Sequence, residues 1–362
     1  MKFKKKLLIA TGGTGGHIFP AYALGKFFLK KNFSVKIITD KRGSKFLKNY
    51  QDIDLTTINS STIYSKNFLI VIFSFLKIIL ATIKSLIILI KFKPKIVFGM
   101  GGYSSFPICI AAKILQIPFI IYENNTCIGR TNKFLLPLSQ KLFVSYDDLE
   151  GINKKYKDKI VKIGNILRDE IFDFKDDSKK SDNDKIGFLI LGGSQAAKSF
   201  GEKLPYIFKR CSQFGIKLKV YQQCLPSQKK FLQDFYNQLN IENEIFNFSK
   251  DLTKYFKKIN LAITRAGSSM LAELLNCNIP IISVPLPSSA DNHQLKNANY
   301  FEKKGYGIMI EEDKIENNLF PLIKLMHKDK KLLKKIKSKQ KEHTDREVFK
   351  RIFGQTKKYL NE

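Results

Sequence analysis

Short apolar runs alternate with longer helical stretches along the whole chain. Residues 7–10, 34–39, 95–98, 118–122, 141–144 and 159–163 make a first series, and 187–191, 217–222, 244–248, 261–264 and 280–285 a second. Runs this short, bounded by Gly, Asn and Pro, read as strands buried on both faces. Most of the intervals are long enough for a crossover helix, with 21–30 and 270–275 as clear cases, which predicts parallel sheets. A glycine-rich turn closes the first strand of each series: Gly12-Gly13-Thr14-Gly15-Gly16-His17 after 7–10, and Gly192-Gly193-Ser194-Gln195 after 187–191. Residues 173–185, charged and poor in apolar side chains, read as a linker. The pattern therefore predicts an α/β chain of two doubly wound domains in tandem. After Pro321 the chain turns Lys-rich and helical, with Leu332, Leu333 and Ile336 at helical spacing.

One stretch breaks the rhythm. Residues 68–90 are almost continuously apolar and long enough to span a bilayer. A span would put the strands before and after it on opposite sides of a membrane, although both belong to one sheet. Lys66, Lys77, Lys84 and Lys91 recur at steps of eleven, seven and seven, so a helix carries them as one stripe. Phe68, Ile72, Phe75, Ile79, Leu86 and Leu89 are expected away from that stripe. The expectation is a helix lying on a membrane surface; the plainer alternative is a helix that covers the sheet.

The chain has 362 residues, enough for two domains. Its 63 basic and 32 acidic residues leave a net charge of +31. Most of the excess is Lys spread along the chain, as on a solvated surface. An anionic membrane face is a further reading, and nucleic acid is not expected because no recognition module is present. The five cysteines form no CxxC pair, which fits a reducing compartment without disulfides or zinc.

The glycine loops carry the first chemistry. Without Cβ atoms their N–H groups can approach a phosphate. No Gly-Lys-Ser/Thr follows, so the first is not a P-loop. A second glycine turn, Gly99-Met100-Gly101-Gly102-Tyr103, closes strand 95–98, and 118–122 ends at Glu123-Asn124-Asn125. In the second half, strand 261–264 runs through Arg265-Ala266-Gly267-Ser268-Ser269 into a helix, a setting for anions. Glu273, one to two turns inside it, suits a vicinal diol such as a ribose. Gln294 and Asn297, three apart on a helix, suit sugar hydroxyls.

Taken together, the Gly12–Pro20 loop, the Gly99–Tyr103 turn, Gly192-Gly193-Ser194-Gln195, Arg265-Ala266-Gly267 with Glu273, and Asp291-Asn292-His293-Gln294 with Asn297-Ala298 resemble the MurG family of peptidoglycan glycosyltransferases. The resemblance covers nearly the whole chain. It implies a GT-B fold, two Rossmann-like domains facing a cleft: 1–165 for acceptor and membrane, with 341–362 returning to it, and 166–340 for the UDP-sugar. It implies transfer of N-acetylglucosamine from UDP-GlcNAc to lipid I, with no cofactor and no metal. The enzyme would act peripherally on the cytoplasmic side of the plasma membrane, with cell-wall synthesis proteins as further partners.

Carried over by position, Glu273 would hold the ribose. Gly267, Ser268, Ser269 and Met270, with Leu271 and Ala272 behind them, would line the pyrophosphate. Ser194 and Arg168 would touch donor phosphates, and Phe248 and Ser249 the uracil. Gln294, Asn297 and Asn125 would contact the sugar. Thr14, Gly15 and Gly16 would face the substrates, and Gly12, Gly13, Gly101, Gly102 and Tyr103 the acceptor pyrophosphate. The implied reaction is a single inverting displacement by the muramoyl C4 hydroxyl, with His17 the candidate base. A His17 that only caps the loop is the alternative. Departures from the family pattern are Tyr122, Asn124, Ala196 and Met270, where His, Gln, Gly and Thr are usual. A glycolipid synthase using UDP-glucose or UDP-galactose, and a non-catalytic sugar-nucleotide-binding scaffold, are the competing readings.

Overall fold

The computed structural model describes residues 5–13, 15–47, 52–60, 68–175, 185–193, 198–249 and 251–360, with the backbone alone at 68, 69 and 71. Thr14, Lys66, Ser194, Gln195 and Ala196 lie outside the described residues, as does most of 173–185. The chain divides into two compact units, Met1–Arg168 with Asp345–Glu362, and Asp169–Thr344.

In the first unit β1 (Lys6–Ala10), β2 (Ser34–Thr39), β3 (Asp54–Thr57), β4 (Ile96–Gly99), β5 (Phe119–Glu123), β6 (Lys141–Val144) and β7 (Ile160–Lys162) form a seven-stranded sheet, ordered β3-β2-β1-β4-β5-β6-β7. Every pairing is parallel. Its connections carry α1 (Gly15–Lys30), α2 (Lys41–Leu47), α3 (Phe68–Phe92), α4 (Ser105–Ile114) and α5 (Arg130–Leu135). The central position of β1 explains why Leu7, Leu8, Ile9 and Ala10 are all fully buried. The edge strand β3, sequence DLTT, is only half-buried, so it needs no apolar run and leaves no such signal.

The second unit opens with α6 (Asp169–Phe172). Its sheet runs β10 (Glu242–Phe246), β9 (Leu218–Gln223), β8 (Ile186–Leu191), β11 (Leu261–Thr264), β12 (Ile281–Ser283), β13 (Gly307–Met309), again all parallel. The helices are α7 (Lys198–Gln213), α8 (Lys229–Gln238), α9 (Thr253–Phe256), α10 (Ser268–Asn276), α11 (His293–Lys303), α12 (Ile315–Lys328) and α13 (Lys331–Lys341).

The chain then returns to the first unit as α14 (Val348–Leu360). Phe349 stacks on Phe27 with ring centroids 5.0 Å apart, and Phe353 meets the same ring edge-on at 6.2 Å. The Asp345 carboxylate accepts from the backbone N–H and the side-chain amide of Asn165, both at 3.0 Å.

In both sheets the strand order reverses once, between β1 and β4 and between β8 and β11. Ligands of open parallel sheets bind beyond the carboxyl ends of the strands at such a reversal. Four of the glycine-containing turns stand there.

Helix α3 differs from expectation in its orientation. Its buried seam is Ser74, Ala81, Ser85 and Leu89, facing α4. Small residues at the first three positions let the two helices approach closely. Leu89 is therefore core and Leu86 half-buried, which corrects their assignment to an outward face. The outward arc is Ile72, Phe73, Phe75, Leu76, Ile79, Leu80, Ile83, Ile87 and Ile90, each 40–65% exposed. Lys77, Lys84 and Lys91 are also exposed, and Lys84 Nζ donates to the Thr57 carbonyl at 3.2 Å.

Candidate active site

Because β1 and β4 are neighbours, the two glycine turns that follow them meet backbone to backbone. A Cβ on Gly12 would fall 2.5 Å from Ser104 Oγ, and one on Gly102 (φ +75°) would fall 3.0 Å from the Gly12 carbonyl oxygen. Only glycine permits this approach. His17 lies against the second turn: a Cβ on Gly101 would stand 3.0 Å from its Cε1.

The helix expected from residue 21 begins at Gly15, so His17 rides on its first turn. Pro20, inside that helix, has no N–H for the Gly16 carbonyl. The side-chain amide of Asn124, at the end of β5, donates to that carbonyl instead at 3.0 Å.

Asp40 ties the turns together. Its Oδ1 accepts from the N–H groups of Arg42 (2.9 Å) and Gly43 (2.8 Å), capping α2. Its Oδ2 accepts from the Gly13 N–H (3.1 Å) and from Ser104 Oγ (3.0 Å). Burial pushes the Asp40 carboxyl up, but the Gly43 N–H, the Ser104 hydroxyl and the Arg42 charge outweigh it and hold it below its ordinary range.

Glu123 plays the same part at the end of β5. It is buried, and accepts from the Asn125 N–H (3.1 Å), Asn125 Nδ2 (2.9 Å), the Gly129 N–H (2.8 Å) and Asn132 Nδ2 (2.9 Å). Asn125 is thereby fixed and half-buried. Arg168 belongs to this unit, with its guanidinium over the Phe19 ring at 5.2 Å, not to the unit that carries α10.

In the second unit the turn between β11 and α10 is set from below by Arg265. Its buried guanidinium pairs with Glu312, donates to Ser199 Oγ (3.0 Å) and the Val284 carbonyl (3.3 Å), and lies 4.8 Å from the Phe200 ring. Gly267 is the N-cap of α10, and a Cβ there would meet nothing within 4 Å. The first turn of α10, at Ser268, Ser269 and Met270, is a helix N-terminus, a setting that suits an anion. Glu273 is buried in the second turn. Phe248, after β10, is 60% exposed, and Ser249 beside it donates its hydroxyl to the Asp251 carbonyl at 2.6 Å. Gln294 Oε1 accepts from the Leu286 N–H at 3.0 Å.

Three residues expected at the ligand have partners within their own unit in this structure. Asn297 has no exposed surface; its amide donates to the Ala266 carbonyl at 3.1 Å and so holds α11 beside the turn. Leu271 and Ala272 are fully buried, and their N–H groups are used within the helix, Leu271 donating to the Gly267 carbonyl at 3.1 Å. The residues that sequence reasoning missed are Asp40, Arg42 and Ser104. A readable signal existed for the first, since an Asp directly after strand 34–39 and before a helix is an N-cap pattern.

Two Rossmann-like units, each with glycine turns at its strand reversal, are the architecture of the GT-B fold. Residues 7–144 match the glycosyltransferase family 28 N-terminal domain and residues 188–352 its C-terminal domain. A Pelagibacter ubique protein named UDP-N-acetylglucosamine--N-acetylmuramyl-(pentapeptide) pyrophosphoryl-undecaprenol N-acetylglucosamine transferase is 37% identical over 334 residues, covering 91% of this chain and 92% of its own. One of the same name from Rickettsia bellii is 34% identical over 352 residues, covering 93% and 97%. The crystal structure of Acinetobacter baumannii MurG shares the fold, with a TM-score of 0.79 at 24% identity over 98% of this chain and 99% of that one. The chain belongs to glycosyltransferase family 28 and, within it, to the MurG family.

Proposed function

We infer that this protein transfers N-acetylglucosamine from UDP-GlcNAc to the C4 hydroxyl of the N-acetylmuramoyl group of lipid I, giving lipid II for peptidoglycan synthesis. The observation that carries the reading is the set of glycine turns at both sheet reversals, in a chain alike over nine-tenths of its length to enzymes named for this transfer.

In this reading the second unit binds the donor. The first turn of α10 takes the pyrophosphate, Glu273 the ribose diol, and Phe248 with Ser249 the uracil. Gln294 serves the sugar, while Asn297 positions the turn. As UDP leaves, negative charge grows on the phosphate nearest the sugar, where helix N–H groups stabilise it. The first unit binds the acceptor at the joined Gly12-Gly13 and Gly101-Gly102 turns with Tyr103. His17, held on α1 against Gly101, takes the proton of the attacking hydroxyl, and inversion gives a β-1,4 bond.

The lipid acceptor calls for a membrane face, and α3 fits one. Its segment Ile72–Phe92 is long and apolar enough to cross a bilayer by length and composition. However, β3 and β4, on either side of it in sequence, belong to one sheet, and its seam is buried. The reading is therefore a helix whose outward arc enters the headgroup boundary, with Lys77, Lys84 and Lys91 toward anionic lipid.

The test is transfer of labelled N-acetylglucosamine to purified lipid I, with lipid II as the scored product. Faster use of UDP-glucose or UDP-galactose on diacylglycerol would favour a glycolipid synthase, and no turnover a scaffold.

A further inference from the structure

A cation that no step above uses stands at the joined glycine turns. Arg42 is the second residue of α2, and its side chain is 57% exposed. Exposed arginines usually swing freely. This one is held from three sides. Its Nη2 lies 3.4 Å from Asp40 Oδ2 and donates to the Tyr103 hydroxyl, while the guanidinium sits 5.0 Å from the Tyr103 ring centroid. Gly13 is beneath it: a Cβ there would come within 3.3 Å of Nη2.

Asp40 engages only Nη2 of the guanidinium, because its oxygens also accept from Gly13, Gly43, Ser104 and the Arg42 backbone. Among the described residues, the hydrogen bonds of the Arg42 guanidinium run through Nη2, which leaves Nε and Nη1 for an outside acceptor. Local stability does not select the position either, since a cation in a first helical turn opposes the helix dipole.

We propose that Arg42 holds a phosphate of the acceptor's pyrophosphate against the Gly12-Gly13 and Gly101-Gly102 turns, with Asp40 and Tyr103 as positioning residues that fix its guanidinium. A planar fork held by stacking suits phosphate oxygens better than a mobile ammonium. The inference rests on the lipid-pyrophosphate acceptor named above, and the test separates the two.

Steady-state kinetics on lipid I and UDP-GlcNAc are measured for the unaltered enzyme, Arg42→Ala, Arg42→Lys and Tyr103→Phe, with melting curves for each. Arg42→Ala is expected to raise the acceptor KM about tenfold to a hundredfold, with the donor KM within about twofold and the melting curve nearly unmoved. Arg42→Lys should recover part of the loss, and Tyr103→Phe should show a smaller rise of the same kind. An unchanged acceptor KM, or an equal rise in both KM values, overturns the proposal. Should Arg42→Ala fail to fold, Arg42→Lys carries the test: a several-fold rise confined to the acceptor supports the proposal, and no rise overturns it. If the unaltered enzyme transfers nothing to lipid I, the acceptor reading itself fails. Binding of inorganic pyrophosphate with UDP saturating then reads Arg42 directly, loss in Arg42→Ala supporting an anion site and equal binding overturning it.

Discussion

Replacing Asp40 by Asn changes one oxygen to an amide and tests how the glycine turns are held. Asn is as good an N-cap as Asp, so its oxygen keeps the bonds from the Arg42 and Gly43 N–H groups, now at 2.9 and 2.8 Å. The amide nitrogen falls where Oδ2 accepts from Gly13 and Ser104. The Ser104 hydroxyl can turn and accept instead. The Gly13 N–H cannot, and a half-buried donor that loses its acceptor costs up to about 1–3 kcal/mol. The lost attraction for the exposed Arg42 head adds at most about 1 kcal/mol after solvent screening.

A loss of roughly 1–4 kcal/mol lowers Tm by several degrees for a unit of this size. Two units need not melt together, so melting alone does not localise the loss. Amide hydrogen exchange does: protection should fall about tenfold to a hundredfold at Gly13 and remain at Gly43. Equal protection at Gly13 in variant and wild type, or equal loss at both glycines, would refute the account. Acid supplies a second check. A carboxyl held below its ordinary value contributes stability that is complete above the unfolded value near 3.9 and is lost as pH falls through the folded value. The gap between wild type and Asp40→Asn should therefore close as the solution is acidified.

Glu273→Gln should raise the KM for UDP-GlcNAc about tenfold or more, since a charged hydrogen bond to the ribose is worth ~1.5–3 kcal/mol; an unaltered donor KM would remove the ribose assignment. His17→Ala should lower kcat by about a hundredfold with donor affinity little changed, and preserved kcat would leave His17 a packing residue against Gly101. Phe75→Ser with Leu80→Ser, two exposed positions on the outward arc of α3, should shift protein from anionic liposomes to solution. The same pair should slow transfer to full-length lipid acceptor more than to a short-chain soluble analogue, whereas equal slowing would deny the membrane role.

The fold was legible wherever burial on both faces demanded an apolar run. Strands 34–39, 141–144 and 261–264 were read with their boundaries unchanged. The edge strands β3 and β13 were not, because a strand with one free side can be polar or very short. The glycine turns were legible because backbone-to-backbone contact admits no other residue. The side chains that brace them were less so. Asp40 and Ser104 meet across a sequence separation of 64, and only the strand order β2-β1-β4 creates that contact. The face of α3 was misjudged for a similar reason. An almost wholly apolar helix does not announce its inner side, and the small residues Ser74, Ala81 and Ser85 reveal it only once α4 is known to lie there.

The return of α14 to the first unit has a consequence for biosynthesis. A nascent chain emerges N-terminus first at about 5–20 residues per second. The whole of Asp169–Thr344 is translated between the two segments of the first unit, so its sheet waits roughly 10–35 s for α14. Throughout that interval Phe27 lacks its stacking partner and Asn165 its carboxylate. The second unit, continuous in sequence, can finish folding first, although it begins to be made later. A ribosome stalled before Asp345 would thus release a chain whose earlier-made half is the incomplete one, and that half is where holding chaperones and proteases would act.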